Sequence, residues 1–157
     1  MRKTLVIGYG NTLRSDDGVG VWVADRIASL HLSDVDVRTC HQLYLELAAD
    51  MIQYDVVIII DASASGEPMA VRKSIPSPAL SSSTDHNVSP EILQRLALDM
   101  YGVAINAHVY TVRGECFEFG TMLSAPVKER AMRTIILIAS LLQQIEQRSM
   151  EAIFILN

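Results

Sequence analysis

Short apolar runs alternate along the chain with longer segments whose apolar residues recur at helical spacing. The short runs predict strands at Leu5–Gly8, Val35–Thr39, Val56–Ile60, Met69–Arg72 and Ala107–Val112. Val56–Ile60 consists of five successive β-branched residues, which is typical of a strand buried on both faces of a parallel sheet. Val35–Thr39 alternates apolar and polar residues, so we expect it to be less buried.

Start and stop signals bound the helical segments. Ser89, Pro90 and Glu91 form a typical helix start, with an N-cap, a proline at the first helical position and an acid in the first turn. Gly102 ends that helix, and Ser124 is expected to cap a long final helix. The predicted helices cover Val19 to about Leu30, Leu43 to about Ile52, Pro90 to about Tyr101 and Ser124 to about Gln147. Ser74–Thr84, with two prolines and several serines, is predicted to be an irregular loop.

Alternation of strands and helices predicts an α/β fold with a mostly parallel or mixed central sheet and helices on both faces. Functional sites of such folds lie at the carboxyl ends of the strands. Asp16 and Asp17 occupy the loop that leaves the first strand, and Asp61 directly follows Val56–Ile60. If these two strands are neighbours, the acids converge at one edge of the sheet.

Composition and charge narrow the functional classes. With 157 residues, half of them hydrophobic and a fifth charged, the chain is expected to form one compact domain over residues 1–157. The formal net charge of −5 argues against a nucleic-acid partner. No apolar run is long enough for a signal peptide core or a membrane span. Cys40 and Cys116 indicate neither a disulfide framework nor a metal motif, so we expect a cytoplasmic protein.

Four glycines, at positions 8, 10, 18 and 20, frame two adjacent carboxylates in the segment that joins the first strand to the first helix. A dinucleotide-binding fingerprint fails because Leu13 occupies the third glycine position, and the acids would repel a pyrophosphate. The loop therefore favours a cation. Either aspartate would serve as a helix cap, and we expect Asp16 to cap the Val19 helix and Asp17 to face the site.

A third metal ligand is sought among four histidines. His86 ranks first because it lies in a loop just before the Ser89 helix, and His41 ranks second because it follows a predicted strand. His31 is interpreted as a surface residue and His108 as a core histidine. Two carboxylates and one imidazole suit a divalent first-row metal such as nickel, manganese or zinc. A Gly-x-Ser-x-Gly nucleophile motif is absent from the sequence, so hydrolysis would depend on metal-activated water or on carboxylate acid–base chemistry.

The chain resembles the maturation endopeptidases of nickel–iron hydrogenases, especially those that serve bidirectional, NAD(P)-linked enzymes. The twin-acid loop is the most specific match, because it separates this family from dinucleotide-binding proteins. The matching segments follow one another over nearly the whole chain: residues 8–20 (GYGNTLRSDDGVG), 40–43 (CHQL), 57–62 (VIIIDA), His86 with 89–93 (SPEIL), 100–102 (MYG), 117–120 (FEFG) and 123–124 (LS).

The resemblance implies a three-layer α/β/α sandwich that removes a C-terminal extension from the hydrogenase large-subunit precursor after nickel insertion. It also implies that the metal belongs to the substrate, so the protein needs no cofactor of its own. The metal-contacting residues of the family fall on Asp17, Asp61 and His86. Asp17 and Asp61 are the candidate catalytic residues, one of them activating a water while the nickel polarises the scissile carbonyl. The expected partner is the nickel-loaded precursor, bound by a monomer.

Two other functions compete with this interpretation. A nickel carrier or scaffold for hydrogenase assembly would bind the metal tightly without cutting anything. Its ligand set would hold no cysteine, however, which makes it a poor carrier of a soft metal. A nucleotide-binding module would be stabilised by NAD or ATP. The family resemblance favours the peptidase over both.

Overall fold

The computed structural model describes residues 3–78 and 87–155 and contains a five-stranded sheet within them. The strands are β1 (Thr4–Tyr9), β2 (Val35–Cys40), β3 (Val56–Ser63), β4 (Met69–Ser74) and β5 (Ala107–Arg113). Their order across the sheet is β2-β1-β3-β5-β4. β1, β2, β3 and β5 run parallel, and β4 is antiparallel to β5. β1 and β3 are therefore neighbours, which meets the condition for their acids to converge at one edge of the sheet.

Helices cover both faces of the sheet. The described elements are α1 (Val19–Ala28), α2 (Leu47–Met51), α3 (Pro90–Tyr101) and α4 (Ala125–Ile155), with a short 3-10 turn at Ser15–Gly18 before α1. The sheet has a hydrophobic core on each face, and successive residues of β3 point alternately into one and the other. Ile58 and Ile60 pack with α1 and α4, whereas Val57 and Ile59 pack with α2 and α3. The fold is a three-layer α/β/α sandwich with a mixed, mostly parallel sheet, as expected.

The predicted helix from Leu43 to Ile52 is wrong at its start, because α2 begins only at Leu47. Leu43 and Leu47 are both buried, and their spacing of four residues resembles a helical repeat. Leu43 instead reaches the core from the irregular segment that follows β2. The final helix also differs from its prediction, since it continues to Ile155.

The helix-start signals at α3 are confirmed. The Ser89 hydroxyl accepts a hydrogen bond from the backbone N–H of Ile92 at 3.3 Å, and Pro90 is the first helical residue. Gly102 ends the helix in the left-handed conformation, with φ of 68°. No helix within residues 3–78 and 87–155 is both long enough and apolar enough to cross a membrane.

Two glycines allow α1 to lie directly against the sheet. A Cβ atom on Gly8 would lie 2.2 Å from the carbonyl oxygen of Gly20, and one on Gly20 would lie 2.4 Å from that of Ile60. Both contacts are to backbone atoms, which cannot move aside without shifting an element. The first turn of α1 is therefore fixed against the carboxyl ends of β1 and β3, and the loop before it is fixed too.

We predict that Gly8→Ala destabilises the protein by at least about 3 kcal/mol, because the new methyl group overpacks a contact between β1 and α1. Gly102→Ala is the matched control: nothing lies within 4 Å of its Cβ position, so only the left-handed strain of about 1 kcal/mol applies. Urea unfolding measures both. Equal losses in the two variants would contradict the close-approach argument.

Candidate functional site

A cleft of about 480 Å³ opens at the carboxyl edge of the sheet, where β1, β2 and β3 end. One wall is the loop after β1, which we call the twin-acid loop (residues 10–18). The other lining segments are residues 41–43 after β2, Asp61 near the end of β3, and residues 87–89 before α3. Asp17 and Asp61 both line this cleft, as expected from their positions after neighbouring strands.

The twin-acid loop turns back on itself at Gly10. Its φ of 141° is unfavourable for any residue with a side chain, and a Cβ atom there would lie 1.9 Å from the carbonyl oxygen of Asp17. The backbone N–H of Asn11 donates a hydrogen bond to Asp17 Oδ2 at 2.8 Å. Backbone shape and hydrogen bonding therefore both hold the Asp17 carboxylate at the cleft.

Asp16 has a different role from the one predicted. It does not cap α1: the N-cap position is Gly18, and no side chain provides a capping hydrogen bond there. The Asp16 side chain is instead completely buried. Oδ2 accepts hydrogen bonds from the backbone N–H groups of Glu115 (2.9 Å) and Cys116 (2.8 Å) and from the Ser124 hydroxyl (2.8 Å), and Oδ1 accepts one from the Ser124 N–H (2.7 Å).

These four donors explain the ionisation of Asp16. Burial raises the pKa of a carboxyl group, but the hydrogen bonds from Ser124, Glu115 and Cys116 outweigh burial and hold the pKa of Asp16 below its ordinary value. Asp16 is thus a permanent buried anion that binds the loop between β5 and α4. Sequence reasoning missed this role because the donors lie 99 to 108 residues away along the chain.

Asp61 has the opposite electrostatic environment. Burial is the largest influence and raises the pKa of its carboxyl group to about 6. Hydrogen bonds from the Tyr9 hydroxyl and the Ala62 backbone oppose that rise, whereas the charge of Asp17 adds to it. The Tyr9 hydroxyl donates to Asp61 Oδ2 at 2.5 Å, and its own pKa is raised by burial and by the Asp61 charge, so it keeps its proton. Asp61 can exchange a proton near neutral pH.

Tyr9 and Arg14 are cleft residues that sequence reasoning did not single out. Tyr9 closes β1, and Arg14 precedes the twin acids. The sequence feature that could have identified Tyr9 is a hydroxyl-bearing side chain directly after Gly8, near the end of the first strand. Arg14 brings a cation to a cleft with two carboxylates, and its Nε donates to the carbonyl oxygen of Phe117 at 3.1 Å.

The histidines divide between the described and undescribed parts of the chain. His41 lines the cleft, as its position after β2 suggested. His86 lies outside the described residues, so its metal-contacting role stays a prediction. His108 is half-buried on β5, where burial and then the charge of Lys73 lower its pKa. His31 lies after α1, away from this cleft.

The arrangement provides two carboxylates for a metal rather than a complete coordination site. Across residues 3–78 and 87–155, no group of three His, Cys, Asp or Glu side chains is arranged to hold a metal ion. Asp17 and Asp61 are close enough for the charge of one to raise the pKa of the other. They can serve as two oxygen ligands or as an acid–base pair at the same cleft.

Neither a protein-family model nor a curated protein sequence matches the chain. Solved structures do match it. The hydrogenase 2 maturation peptidase of Thaumarchaeota archaeon SCGC_AB-539-E09 is 26% identical with a TM-score of 0.65, and the match covers 90% of this chain and 98% of that one. The NiFe hydrogenase maturation protease HycI of Thermococcus kodakarensis KOD1 is 24% identical with a TM-score of 0.72, covering 90% and 93%.

A third similar structure is the hydrogenase maturating endopeptidase HybD of E. coli, which is 22% identical with a TM-score of 0.67. That match covers 90% of this chain and 93% of HybD. Each similarity extends over nearly the full length of both chains. The α/β/α sandwich described above is therefore the fold of NiFe hydrogenase maturation proteases.

We predict that Asp61→Asn stabilises the metal-free protein by about 1–3 kcal/mol at pH 7.5. The raised pKa means that ionised Asp61 disfavours the folded state: its stabilising contribution is present below pH 4 and is lost as pH rises through about 6. An asparagine stays neutral, and the Tyr9 hydroxyl can rotate to accept a hydrogen bond from it. The gain should therefore shrink towards pH 4.5, as measured by urea unfolding with a chelator present.

Asp16→Asn is the matched comparison and should destabilise the protein by about 2–4 kcal/mol at pH 7.5, because the new amide group would face a hydrogen-bond donor in a buried position. Opposite signs in the two variants would support the assignment of Asp16 to structure and of Asp61 to the cleft. A loss of stability in both would contradict it.

Proposed function

We propose that this protein is an endopeptidase that removes the C-terminal extension of a NiFe-hydrogenase large-subunit precursor after nickel insertion. The observation that carries the proposal is that Asp17 and Asp61 line one cleft of a fold shared with hydrogenase maturation proteases. The most identical of the matches described above is itself named a hydrogenase 2 maturation peptidase. The resemblance carried by all the motifs between Gly8 and Ser124 supports the bidirectional, NAD(P)-linked type of target hydrogenase.

In this proposal nickel arrives with the substrate, and Asp17, Asp61 and His86 contact it. The protein has no cofactor of its own. Two carboxylates and an imidazole are hard or borderline ligands that bind a divalent ion without the retention a thiolate set would give. Contact with a nickel centre that is already held by the precursor lets the peptidase distinguish a loaded substrate from an empty one.

Asp17 and Asp61 are also the proposed catalytic residues. Asp61, with a pKa of about 6, is largely ionised at neutral pH and accepts a proton from the attacking water. The water oxygen adds to the scissile carbonyl carbon, which the substrate's nickel polarises. When the C–N bond breaks, the protonated carboxyl returns the proton to the leaving amine. Asp17 contacts the metal, with its carboxylate held in place by the Asn11 N–H.

The processing takes place in the cytoplasm in this proposal, and the protein acts as a monomer on one precursor. Cys40 and Cys116 are free thiols, which suits a reducing compartment. Burial raises the pKa of Cys40, which disfavours the reactive thiolate. Neither cysteine is needed for the proposed chemistry.

We predict that the purified protein shortens a nickel-loaded precursor at its C-terminus and leaves the nickel-free precursor intact, as measured by intact mass. Asp17→Asn and Asp61→Asn should each lower the processing rate at least about 100-fold, because each removes an acid–base or metal-contacting carboxylate. Asp99→Asn is the control, since Asp99 pairs with Arg95 on the exposed side of α3.

Three outcomes would overturn this function. Cleavage of both precursors equally would remove nickel as the recognition element. Processing at the parental rate by both aspartate variants would remove the proposed catalytic residues. Failure to cleave either precursor, together with tight stoichiometric nickel binding by the isolated protein, would favour the carrier function instead.

A second prediction distinguishes the two candidate histidines. His86→Gln should lower the processing of nickel-loaded precursor at least about tenfold, whereas His41→Gln should change it by less than about threefold. His86 is proposed to contact the substrate's nickel through its imidazole, and the substitution removes that contact. His41 is not proposed to make such a contact, so its substitution should have a smaller effect. A larger effect at His41, which lines the described cleft, would transfer the third contact to that residue.

A further inference from the structure

The loop between β5 and α4 displays unusually exposed apolar side chains. Phe119 is 86% exposed and Met122 is 79% exposed, the two highest values among large hydrophobic residues in the described part of the chain. A side chain of this size on a mobile loop can fold back onto the protein surface and bury part of its area. The exposure of Phe119 and Met122 therefore depends on what holds the loop.

Backbone and side-chain hydrogen bonds fasten this loop to the twin-acid loop. Arg14 and Gly120 form a parallel bridge, in which the Ser15 N–H donates to Gly120 O at 2.8 Å and the Gly120 N–H donates to Leu13 O at 2.9 Å. The Ser15 hydroxyl also donates to Glu118 O at 3.0 Å. The residue between Glu118 and Gly120 thus projects from a doubly anchored backbone.

Buried Asp16 provides a second anchor at both ends of the same loop, through Glu115 and Cys116 on one side and Ser124 on the other. A Cβ atom on Gly114 would lie 2.5 Å from the ring of Phe117, so that ring packs against the start of the loop. Phe117 is half-buried, whereas Phe119 is almost fully exposed. The loop therefore packs one of its aromatic side chains, Phe117, against its own start and exposes the other, Phe119.

Leu13 extends the displayed surface across the bridge. Leu13 directly precedes Arg14, and Phe119 directly precedes Gly120. The parallel pairing of Arg14 with Gly120 therefore places Leu13 beside Phe119. Leu13 is 51% exposed. We call Leu13, Phe119 and Met122 the apolar platform. Arg14 connects the platform with the cleft, because it lines the cleft and its Nε donates to Phe117 O within the loop that carries Phe119 and Met122.

We propose that the apolar platform binds an apolar surface of the hydrogenase large-subunit precursor beside the segment that enters the cleft. This inference rests on the proposed function and adds a docking surface to it. The cleft offers carboxylates and a guanidinium, which suit a metal centre and a polar backbone but provide little hydrophobic binding. Aromatic and methionine side chains held in place supply that binding at low cost in conformational entropy.

Methionine offers a matched pair for the test. Met122 lies on the platform, whereas Met100 is 65% exposed near the end of α3, ten residues beyond the proline that starts this helix at the cleft. Ten helical residues place Met100 about 15 Å along the axis from that start. We expect Met122→Ser and Phe119→Ser each to weaken precursor binding about tenfold or more, and Met100→Ser to change it less than twofold.

Binding is measured by biolayer interferometry with immobilised nickel-loaded precursor and with each substitution placed in an Asp61→Asn background, so that cleavage does not consume the complex. Processing is then measured with otherwise parental protein. The expected result is a KM at least tenfold higher for the platform variants, with kcat within about twofold and an unchanged Tm.

Each outcome separates the docking surface from the proposed function. If the parental protein cleaves the precursor and the platform variants bind and cleave like Met100→Ser, the platform proposal is overturned and the function stands. If the parental protein binds without cleaving, and the platform variants bind more weakly, the docking surface stands while the peptidase function fails. Equal losses of binding in Met122→Ser and Met100→Ser would also overturn the platform, because the effect would then come from exposed methionines in general.

Discussion

The buried carboxylate of Asp16 is the interaction on which the functional end of this molecule depends. It is completely buried, and its charge is tolerated there because four donors from the loop before α4 converge on its two oxygens. Asp16 itself belongs to the loop after β1. One charge therefore joins a segment near the start of the chain to a segment more than 100 positions later, and the cleft takes its wall from that junction.

The two neighbouring aspartates show how position decides the role of one residue type. Asp16 points inward and receives enough hydrogen bonds to stay ionised at a cost that its partners offset. Asp17 points to the cleft and is held by the backbone of Asn11. Asp61, from the adjacent strand, is partly buried and has fewer donors, so its pKa rises to about 6. Asp16, which stays ionised, and Asp61, which can exchange a proton, lie at the same edge of the sheet because β1 and β3 are paired.

Local sequence was enough to predict the sheet and the two cleft aspartates. Short β-branched runs, the Ser89–Pro90 start and the order of strands and helices are all encoded within a few residues. The partners of Asp16 were not predictable, because a hydrogen bond to Glu115 or Ser124 depends on tertiary packing. The start of α2 was predicted wrongly for a related reason. Leu43 and Leu47 are both buried and four residues apart, which is helical spacing, although the backbone is not helical between them.

The long sequence separation within the Asp16 junction has a consequence for biosynthesis. The strand that positions the twin acids leaves the ribosome about a hundred residues before the donors at residues 115–124. Until they arrive, the loop would contain a desolvated charge without partners, which disfavours its native geometry. Contacts so distant in sequence also form slowly, because loop closure precedes any gain in energy. The cleft wall that the twin-acid loop forms is therefore expected to become ordered only after residues 115–124 have been synthesised.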